Sequence, residues 1–275
     1  MALVATALSA QIGTEIRSDT ASLLGGEHAA AIRRLLEERG VLLFRNLNLT
    51  DEDQIAFAKT LGPLEQELYK VSFDREHNPD YAEYTRGTFS WHIDRIDLDI
   101  PPLGSMLSAR VLSPTGGETE FANTYAAYAD LPADYRKYLD TLEAVHTIEA
   151  SYRELTDKSE ALLAFARKFA PKTQPLVWKH RSGRKSLAIG ISACGIVDMQ
   201  QDAADKLLSE LMAWATQPQY VYRHSWRLGD TALWDNTGVM HRVTPFDETC
   251  GRRLHRTTLL GEEPLTASFR ERFDD

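Results

Sequence analysis

The stretch TALWDNTGVMHRV, residues 231–243, consists of two short apolar runs joined by a turn. The first run ends at Trp234, an Asp-Asn-Thr-Gly sequence of turn-forming residues follows, and the second run resumes at Met240 and His241. Further stretches of the same character, rich in β-branched or aromatic residues, predict additional strands. They are GSMLSARVL (104–112), the run around TEFAN (119–123), SLAIGIS (186–192), YVYRHSW (220–226) and RLHRTTLL (253–260).

Helical segments precede and interrupt these predicted strands. Residues 27–39 (EHAAAIRRLLEER) place apolar side chains on one helical face and end before Gly40. Thr50 opens a second helix with the Thr-x-x-Asp pattern that is typical of a capping box, and the apolar run GVLLFRNL between the two helices predicts a buried strand. Three later inserts are also predicted to be helical: ADYRKYLDTLEA (133–144), EALLAFARKFA (160–170) and DAADKLLSELMAWAT (202–216).

Many short strands with helices along one flank are typical of a mainly β protein. We therefore predict a mainly β fold with flanking helices and a double-sheet barrel or jelly-roll core, although the strand pattern alone also fits a sandwich. No repeat, low-complexity tract or linker divides the chain, which predicts a single domain over residues 1–275. Residues 63–88 show little periodicity and are predicted to be loops.

Composition excludes several classes of function. The 275 residues carry a formal net charge of -9, which argues against general nucleic-acid binding because that usually requires a basic face. The two cysteines, Cys194 and Cys250, form no CxxC pair, which fits a reducing compartment and excludes a cysteine-based zinc knuckle. No basic residue precedes Arg17 and no apolar run is long enough to span a membrane, so we expect a cytoplasmic protein; a homo-oligomer stays open.

The stretch SWHIDRIDLD, residues 90–99, raises the question of a metal site. If residues 89–95 are extended, His92 and Asp94 point to the same side and can bind one metal. The alternative is a packed histidine beside a solvated acid. His241 is the best candidate for a third ligand, and two imidazoles with one carboxylate form the facial triad of non-heme iron(II) oxygenases. Because the same residue types also bind zinc, ligand type alone does not choose the metal.

Two arginines follow His241 at a spacing that points to anionic ligands. If residues 252–258 form a strand, Arg252, Leu254 and Arg256 share one face. A single arginine usually faces solvent. Two arginines buried near a metal would require anionic partners, and a carboxylate-bearing cosubstrate and substrate would supply them.

Several separated motifs together resemble the TauD/TfdA family of Fe(II)- and 2-oxoglutarate-dependent dioxygenases, most closely its herbicide-oxygenase branch. The resemblance starts at the GVLLFRNL run, covers most of the chain and is weakest over residues 63–88. It implies a double-stranded β-helix, which is a jelly roll. Its motifs are WHID (91–94), SPTGGETEFANTYAAY (113–128), GDTALWDNTGVMHR (229–242) and GRRLHRTTL (251–259).

The resemblance implies that His92, Asp94 and His241 bind the iron and are the catalytic centre. Family members that chlorinate their substrates lack the carboxylate ligand, so the presence of Asp94 favours hydroxylation. The implied cofactors are Fe(II), 2-oxoglutarate as cosubstrate and O2, with succinate and CO2 as products. The implied partner is a small anionic substrate that is aryloxyalkanoate-, carboxylate- or sulfonate-like.

Further binding residues are implied position by position. Thr119 and Arg252 fall where the family binds 2-oxoglutarate, and Arg256 falls where it meets an anionic group of the substrate. Trp234 is expected to line the cosubstrate pocket, with a core packing role as the alternative. Lys70 is a candidate second cation for the substrate, with a solvated surface lysine as the alternative.

Two other functions compete with the dioxygenase. A metal-dependent hydrolase on a similar barrel would use zinc to activate water, and a fourth ligand or a nearby general base would favour it. A binding module without catalysis would have kept the fold and lost the chemistry. The arginine pair argues against the hydrolase, and the complete triad argues against the binding module.

Overall fold

The computed structural model describes residues 2–79 and 82–266, which form fifteen β-strands, seven α-helices and three short 3-10 helices. The strands are β1 (Val4–Ala7), β2 (Thr14–Arg17), β3 (Val41–Phe44), β4 (Leu64–Val71), β5 (Gly104–Val111), β6 (Thr119–Asn123), β7 (Glu143–His146), β8 (Lys172–Pro175), β9 (Val177–Lys179), β10 (Lys185–Leu187), β11 (Ala193–Ile196), β12 (Val221–His224), β13 (Thr231–Asp235), β14 (Val239–Val243) and β15 (Arg253–Leu259). The α-helices are α1 (Thr20–Leu24), α2 (Ala29–Arg39), α3 (Asp51–Leu61), α4 (Thr124–Ala129), α5 (Ala133–Leu139), α6 (Glu160–Ala166) and α7 (Gln201–Ala215). The 3-10 helices are Tyr84–Phe89, Glu149–Tyr152 and Pro218–Tyr220.

A seven-stranded sheet forms one side of the molecule, in the order β1-β2-β3-β13-β5-β15-β4. Its strands alternate apolar side chains between two layers, as the twofold period of a strand requires. In β3, for example, Leu42 and Phe44 pack in the outer layer, while Val41 and Leu43 pack in the inner one. The outer layer buries the apolar faces of α2 and α3, and the Thr50–Asp53 capping box predicted for α3 is present.

A three-stranded sheet, β12-β6-β14, lies against the inner layer of the seven-stranded sheet. Phe121 of β6 and Trp234 of β13 meet across the gap, with ring centroids 5.7 Å apart. Two smaller sheets, β11-β7-β8 and β10-β9, and helix α7 complete the other side of the three-stranded sheet. The candidate site lies where the inner faces of the two large sheets meet.

Two of the local predictions are wrong. Residues 63–88 are not loops throughout, because β4 (Leu64–Val71) pairs with β15 at the sheet edge and the helix Tyr84–Phe89 follows. Residues 89–95 are not a full strand: His92 makes a single bridge, the chain turns at Asp94, and Arg95 has a φ of 50°. β4 is an edge strand that pairs on one side only and consists mostly of polar residues, so its sequence shows little of the apolar pattern of a strand.

The predicted SLAIGIS strand is only partly formed, because regular pairing ends with β10 at Leu187. The strands β1, β2, β7, β8, β9 and β11 carry no clear pattern in the sequence and were not predicted. No helix within residues 2–79 and 82–266 is long and apolar enough to cross a membrane. The single-domain organisation and the cytoplasmic location stay predictions.

Candidate active site

His92 and His241 are brought together by their own backbones. The His92 N–H donates to the His241 carbonyl at 3.0 Å, and the His241 N–H donates to the His92 carbonyl at 2.9 Å. This bridge adds the segment around His92 to the edge of β14 and sets the two imidazole centroids 4.2 Å apart. Residues 149 positions apart in the sequence therefore become side-by-side neighbours on one sheet face.

Asp94 completes a cluster with the two histidines. Its Oδ1 lies 3.7 Å from His92 Nε2, and its Oδ2 lies 3.6 Å from His241 Nε2. One donor atom from each of the three residues lies within 4.8 Å of the others. The His92 Nδ1–H donates to the Ser90 carbonyl at 2.8 Å, and since a carbonyl can only accept, the Nε2 of His92 carries the lone pair.

The charge states of the cluster suit a metal cation. Burial lowers the pKa of His92, and burial together with the nearby His92 lowers the pKa of His241 to about 3, so both imidazoles are neutral at pH 7. Burial would raise the pKa of Asp94, but the Arg256 guanidinium and the two imidazoles outweigh it and lower the pKa to about 2. Neutral imidazoles and an ionised carboxylate are the forms that bind divalent metals.

The donor set fits an Fe(II) site of the facial type. Two imidazole Nε2 atoms and one carboxylate converge on one point, which is the ligand set of non-heme iron oxygenases. Among the residues that the structure describes, no other group of three histidine, cysteine or acidic side chains is clustered closely enough to hold a metal. His92, Asp94 and His241 are therefore the residues that would hold the iron.

A cavity lies beside this cluster, lined by His92 and His241 and, from the seven-stranded sheet, by the segment of Arg252 and β15. Arg252 is a buried cation in its wall. Its side chain lies just before β15, is 5% exposed, and stacks on Phe246 with the guanidinium carbon 4.7 Å from the ring centroid. Its NH2 group donates to the Gly117 carbonyl at 2.8 Å. Within residues 2–79 and 82–266, no carboxylate lies at ion-pair distance, and burial lowers the pKa of Arg252 to about 10. A buried guanidinium of this kind is suited to an anionic ligand.

Arg256 lies beside the metal-binding cluster and is more exposed than Arg252. Its NH1 donates to both oxygens of Asp94 at 3.3 Å, and its guanidinium lies over the Tyr69 ring at 5.5 Å. Arg252, Leu254 and Arg256 all line the same cavity, so the predicted shared face is found. The sequence did not indicate the contact between Arg256 and Asp94.

Thr119 and Trp234 also line the cavity. The Thr119 hydroxyl accepts a hydrogen bond from Trp226 Nε1 at 2.9 Å, which leaves its own proton available to a ligand. Trp234 is buried, with its ring centroid 4.7 Å from that of His241, and its Nε1–H has no partner in the described part of the chain. Trp234 thus belongs both to the core and to the cavity wall.

The structure does not bring Lys70 to the cavity. Lys70 is exposed and pairs in register with His255, whereas its neighbour Tyr69 pairs with Arg256. Since successive side chains of a strand point to opposite faces, Lys70 lies on the face away from Arg256.

Sequence reasoning missed other residues of the site. Phe73 and Phe246 line the cavity and contact each other and Phe89, with centroid distances of 5.4–5.8 Å. They lie in irregular segments, where no periodic pattern indicates which way a side chain points. Asn236, in the turn of residues 231–243, hydrogen-bonds to the backbone of Asp94.

With this geometry established, similarity to known proteins identifies the family. The family model described as "Taurine catabolism dioxygenase TauD, TfdA family" matches residues 5–258. The chain belongs to the TauD/TfdA family. It is 37% identical over 269 residues to an alpha-ketoglutarate-dependent 2,4-dichlorophenoxyacetate dioxygenase of Burkholderia sp. (strain RASC), covering 88% of this chain and 90% of that protein.

Other similar proteins agree with this assignment. An (S)-phenoxypropionate/alpha-ketoglutarate-dioxygenase of Sphingobium herbicidovorans is 34% identical, over 82% of this chain and 83% of that protein. The crystal structure of AAD-2 in complex with Mn(II) and N-oxalylglycine matches with a TM-score of 0.84 at 32% identity, covering 97% of this chain and 100% of that one.

Family membership confirms the main functional predictions. The fold is mainly β with the jelly-roll core of this family, and the protein is a 2-oxoglutarate-dependent dioxygenase with a metal centre. Oxygenase chemistry replaces both alternatives, the zinc hydrolase and the binding module without catalysis. The roles of individual residues and the identity of the substrate go beyond this assignment.

Proposed function

We propose that this TauD/TfdA dioxygenase hydroxylates a small organic acid, with an aryloxyalkanoate-, carboxylate- or sulfonate-like anionic group held by Arg256. The reaction consumes one O2 and one 2-oxoglutarate for each hydroxylated C–H bond and releases succinate and CO2. The observation that carries the proposal is the pair of arginines that line one cavity beside a His-Asp-His cluster.

Charge balance in the cavity supports an anionic substrate. Arg252 and Arg256 each contribute one positive charge and Asp94 one negative charge, while both histidines are neutral. Arg242 also lines the cavity, but Glu120 balances its charge at 2.7 Å. A divalent metal and the dianion 2-oxoglutarate cancel each other. One positive charge is then left, and a substrate with a single negative charge neutralises it. Because unpaired charges are costly to bury, a neutral substrate would bind less well.

In the proposed assignment each group has a separate task. His92, Asp94 and His241 hold Fe(II), which when bound supplies the redox chemistry for the reaction of O2 with 2-oxoglutarate. Arg252 holds the distal carboxylate of 2-oxoglutarate, and its buried, cation-π-stacked guanidinium fits a desolvated carboxylate. Thr119 donates its hydroxyl proton to the cosubstrate, and Trp234 excludes water from that end of the cavity.

The apolar part of the substrate faces the cavity wall formed by Phe73 and Phe246. Both rings line the same cavity as the two arginines, and Phe246 packs against the Arg252 guanidinium, so a compact apolar body would pack on these rings. Two relatives named above are dioxygenases of 2,4-dichlorophenoxyacetate and (S)-phenoxypropionate. Both of these substrates combine a carboxylate with an aromatic ring.

The test compares an aryloxyalkanoic acid with its methyl ester as substrates of wild type, Arg256→Ala and Lys70→Ala. Succinate release at saturating 2-oxoglutarate is the readout. We expect wild type to prefer the acid by roughly 30-fold or more in kcat/KM, since truncating one side of a buried charge pair costs about 2–5 kcal/mol. The preference should collapse in Arg256→Ala.

Lys70→Ala is the matched control, because it removes a cation from the strand next to Arg256 but on its opposite face. It should keep the wild-type preference within about twofold, as exposed surface charges contribute little. Equal turnover of acid and ester by wild type would contradict the proposed substrate class. Loss of the preference in Lys70→Ala but not in Arg256→Ala would show that Lys70, and not Arg256, binds the anionic group.

A further inference from the structure

The turn between β13 and β14 contacts Asp94, a metal-binding residue that lies far away in the sequence. β14 contributes His241, and its backbone bridge fixes His92. The turn before β14 contributes Asn236, whose side chain hydrogen-bonds to the backbone of Asp94. We propose that Asn236 is a positioning residue for the metal centre: its carboxamide holds the Asp94 backbone so that the carboxylate faces the two imidazoles.

The carboxamide of Asn236 pairs with both peptide groups of Asp94. Its Oδ1 accepts from the Asp94 N–H at 2.8 Å, and its Nδ2 donates to the Asp94 carbonyl at 2.9 Å and to the Pro102 carbonyl at 3.1 Å. If the amide were reversed, its NH2 group would face the Asp94 N–H, and its oxygen would face the Asp94 and Pro102 carbonyls. The contacts therefore fix the orientation of the amide. Asn236 is fully buried, where unmade hydrogen bonds are expensive.

Asp94 needs this support because the sheet stops just before it. His92 is the last residue of its segment that pairs with β14, and Arg95 takes a left-handed conformation with φ 50°. The peptide groups of Asp94 have therefore left the sheet ladder, while buried peptide groups require partners. The Asn236 side chain takes the place of a neighbouring strand and keeps the turn from relaxing.

Asn236 can act as a fixed point because its own turn is rigid. The Asp235 carboxylate accepts from the Thr237 N–H at 2.9 Å and from the Tyr125 hydroxyl at 3.1 Å. The Tyr125 ring packs against Gly238 so closely that a Cβ there would lie 1.7 Å from a ring carbon. The Asn236 N–H itself donates to the Leu103 carbonyl at 3.0 Å. One turn thus fixes the position of the whole ligand set.

Mn2+ affinity of the metal-free, full-length protein tests this role without any turnover. We expect Asn236→Ala to raise the Mn2+ Kd by roughly 10–100-fold, the usual effect of removing a group that orients a ligand. Electron paramagnetic resonance of the free Mn2+ ion measures this Kd. The absorption band of the Co2+ complex should shift in the same variant, because its carboxylate ligand is displaced.

Asn123→Ala is the matched control. Asn123 is also buried, its Nδ2 donates to the Gln11 carbonyl at 2.6 Å, and its Oδ1 accepts from the Ala126 N–H at 3.1 Å, away from the metal-binding cluster. Its loss should lower the thermal unfolding midpoint but leave the Mn2+ Kd within twofold of wild type and the Co2+ spectrum unchanged. A Kd that rises equally in both variants would mean that general destabilisation, not positioning, is responsible.

Asn236→Asp, studied at pH 8, covers the case in which Asn236→Ala does not fold. It keeps the side-chain volume and the oxygen that accepts from Asp94 but removes both donated hydrogen bonds. The added negative charge would by itself tighten Mn2+ binding, whereas the positioning role predicts a Kd about tenfold weaker. An unchanged or tighter Mn2+ Kd in a folded Asn236 variant would overturn the proposal.

Discussion

The two walls of the cavity are stabilised in opposite ways. The metal side, which consists of His92, Asp94 and His241, is held by the backbone bridge, by the Ser90 carbonyl and by Asn236. The arginine side, which consists of Arg252 and Arg256 on and beside β15, keeps positive charge in the interior. Arg252 has only the Gly117 carbonyl and the face of Phe246 as partners among the described residues.

The difference shows where folding and binding make separate demands. On the metal side, the backbone bridge holds the two histidines and the Asn236 side chain holds Asp94, so the chain itself supplies these hydrogen-bond partners. The arginine side has a desolvated guanidinium whose best partner, a carboxylate, comes from outside the chain. Loss of a residue on the metal side should therefore lower metal affinity. Loss of an arginine on the other side should lower cosubstrate or substrate affinity without the same loss of stability.

The largest expected effect is on the metal side. His241→Ala removes a ligand but not the backbone bridge to His92, so the metal-free fold should persist by circular dichroism. We expect its Mn2+ Kd to rise beyond the roughly 10–100-fold that loss of an orienting group costs, and turnover with Fe(II) to fall to background. Isothermal titration with Mn2+ measures the first effect. Near-wild-type Mn2+ affinity would show that the His-Asp-His cluster is not the metal site.

On the arginine side, Arg252→Met should separate binding from stability. We expect the KM for 2-oxoglutarate to rise by roughly 30-fold or more, from the loss of about 2–5 kcal/mol of a charge-assisted contact. Without cosubstrate, the unfolding free energy should stay equal or increase by about 1 kcal/mol, because an unpaired buried charge is replaced by an apolar side chain.

The control for this stability effect is Arg45→Met. Arg45 forms an ion pair with the buried Asp230 at 2.5 Å, and its removal leaves that carboxylate without its cation. Urea unfolding should show a loss of about 3 kcal/mol, the low end for a buried pair, because Arg45 itself is partly exposed. If Arg252→Met were destabilised as strongly as Arg45→Met, Arg252 would be a structural residue and the contrast between the two walls would not hold.

The last expected effect lies outside the cavity and concerns stability alone, through burial of an imidazole without any ligand role. Burial lowers the pKa of His146, on β7 and outside the cavity, to about 4. Because the folded-state pKa lies below the ordinary value of about 6.5, the unfolded chain binds the proton first. The stability that neutral His146 contributes is therefore present above pH 6.5 and is lost as the pH falls towards 4, by about 3 kcal/mol in all.

The measurement is the slope of unfolding free energy against pH between 7 and 4.5 for metal-free wild type and His146→Gln. The variant should show a shallower slope, whatever its absolute stability. An unchanged slope would mean that burial alone does not keep imidazoles neutral in this fold, and the neutral state of His92 and His241 would need another cause.

The sequence alone determined the chemistry of the site and much of the sheet. Short runs of apolar, β-branched and aromatic residues predicted β3, β5, β6, β12, β13, β14 and β15, since such side chains pack well on a pleated strand. The two helices α2 and α3 followed from their apolar faces and from the Thr50 cap. The separated motifs predicted the family and the ligand set, because residue type restricts which metals and anions a site can bind.

Only the tertiary structure decided how these groups act together. Whether Lys70 faces the cavity depends on the register of β4 with β15, an edge pairing for which the local sequence has little pattern. Arg256 contacts the Asp94 carboxylate from 162 positions away in the sequence, and Asn236 hydrogen-bonds to the Asp94 backbone from 142 positions away. Local periodicity says which face a side chain occupies, whereas the partner on that face is chosen by how distant segments pack.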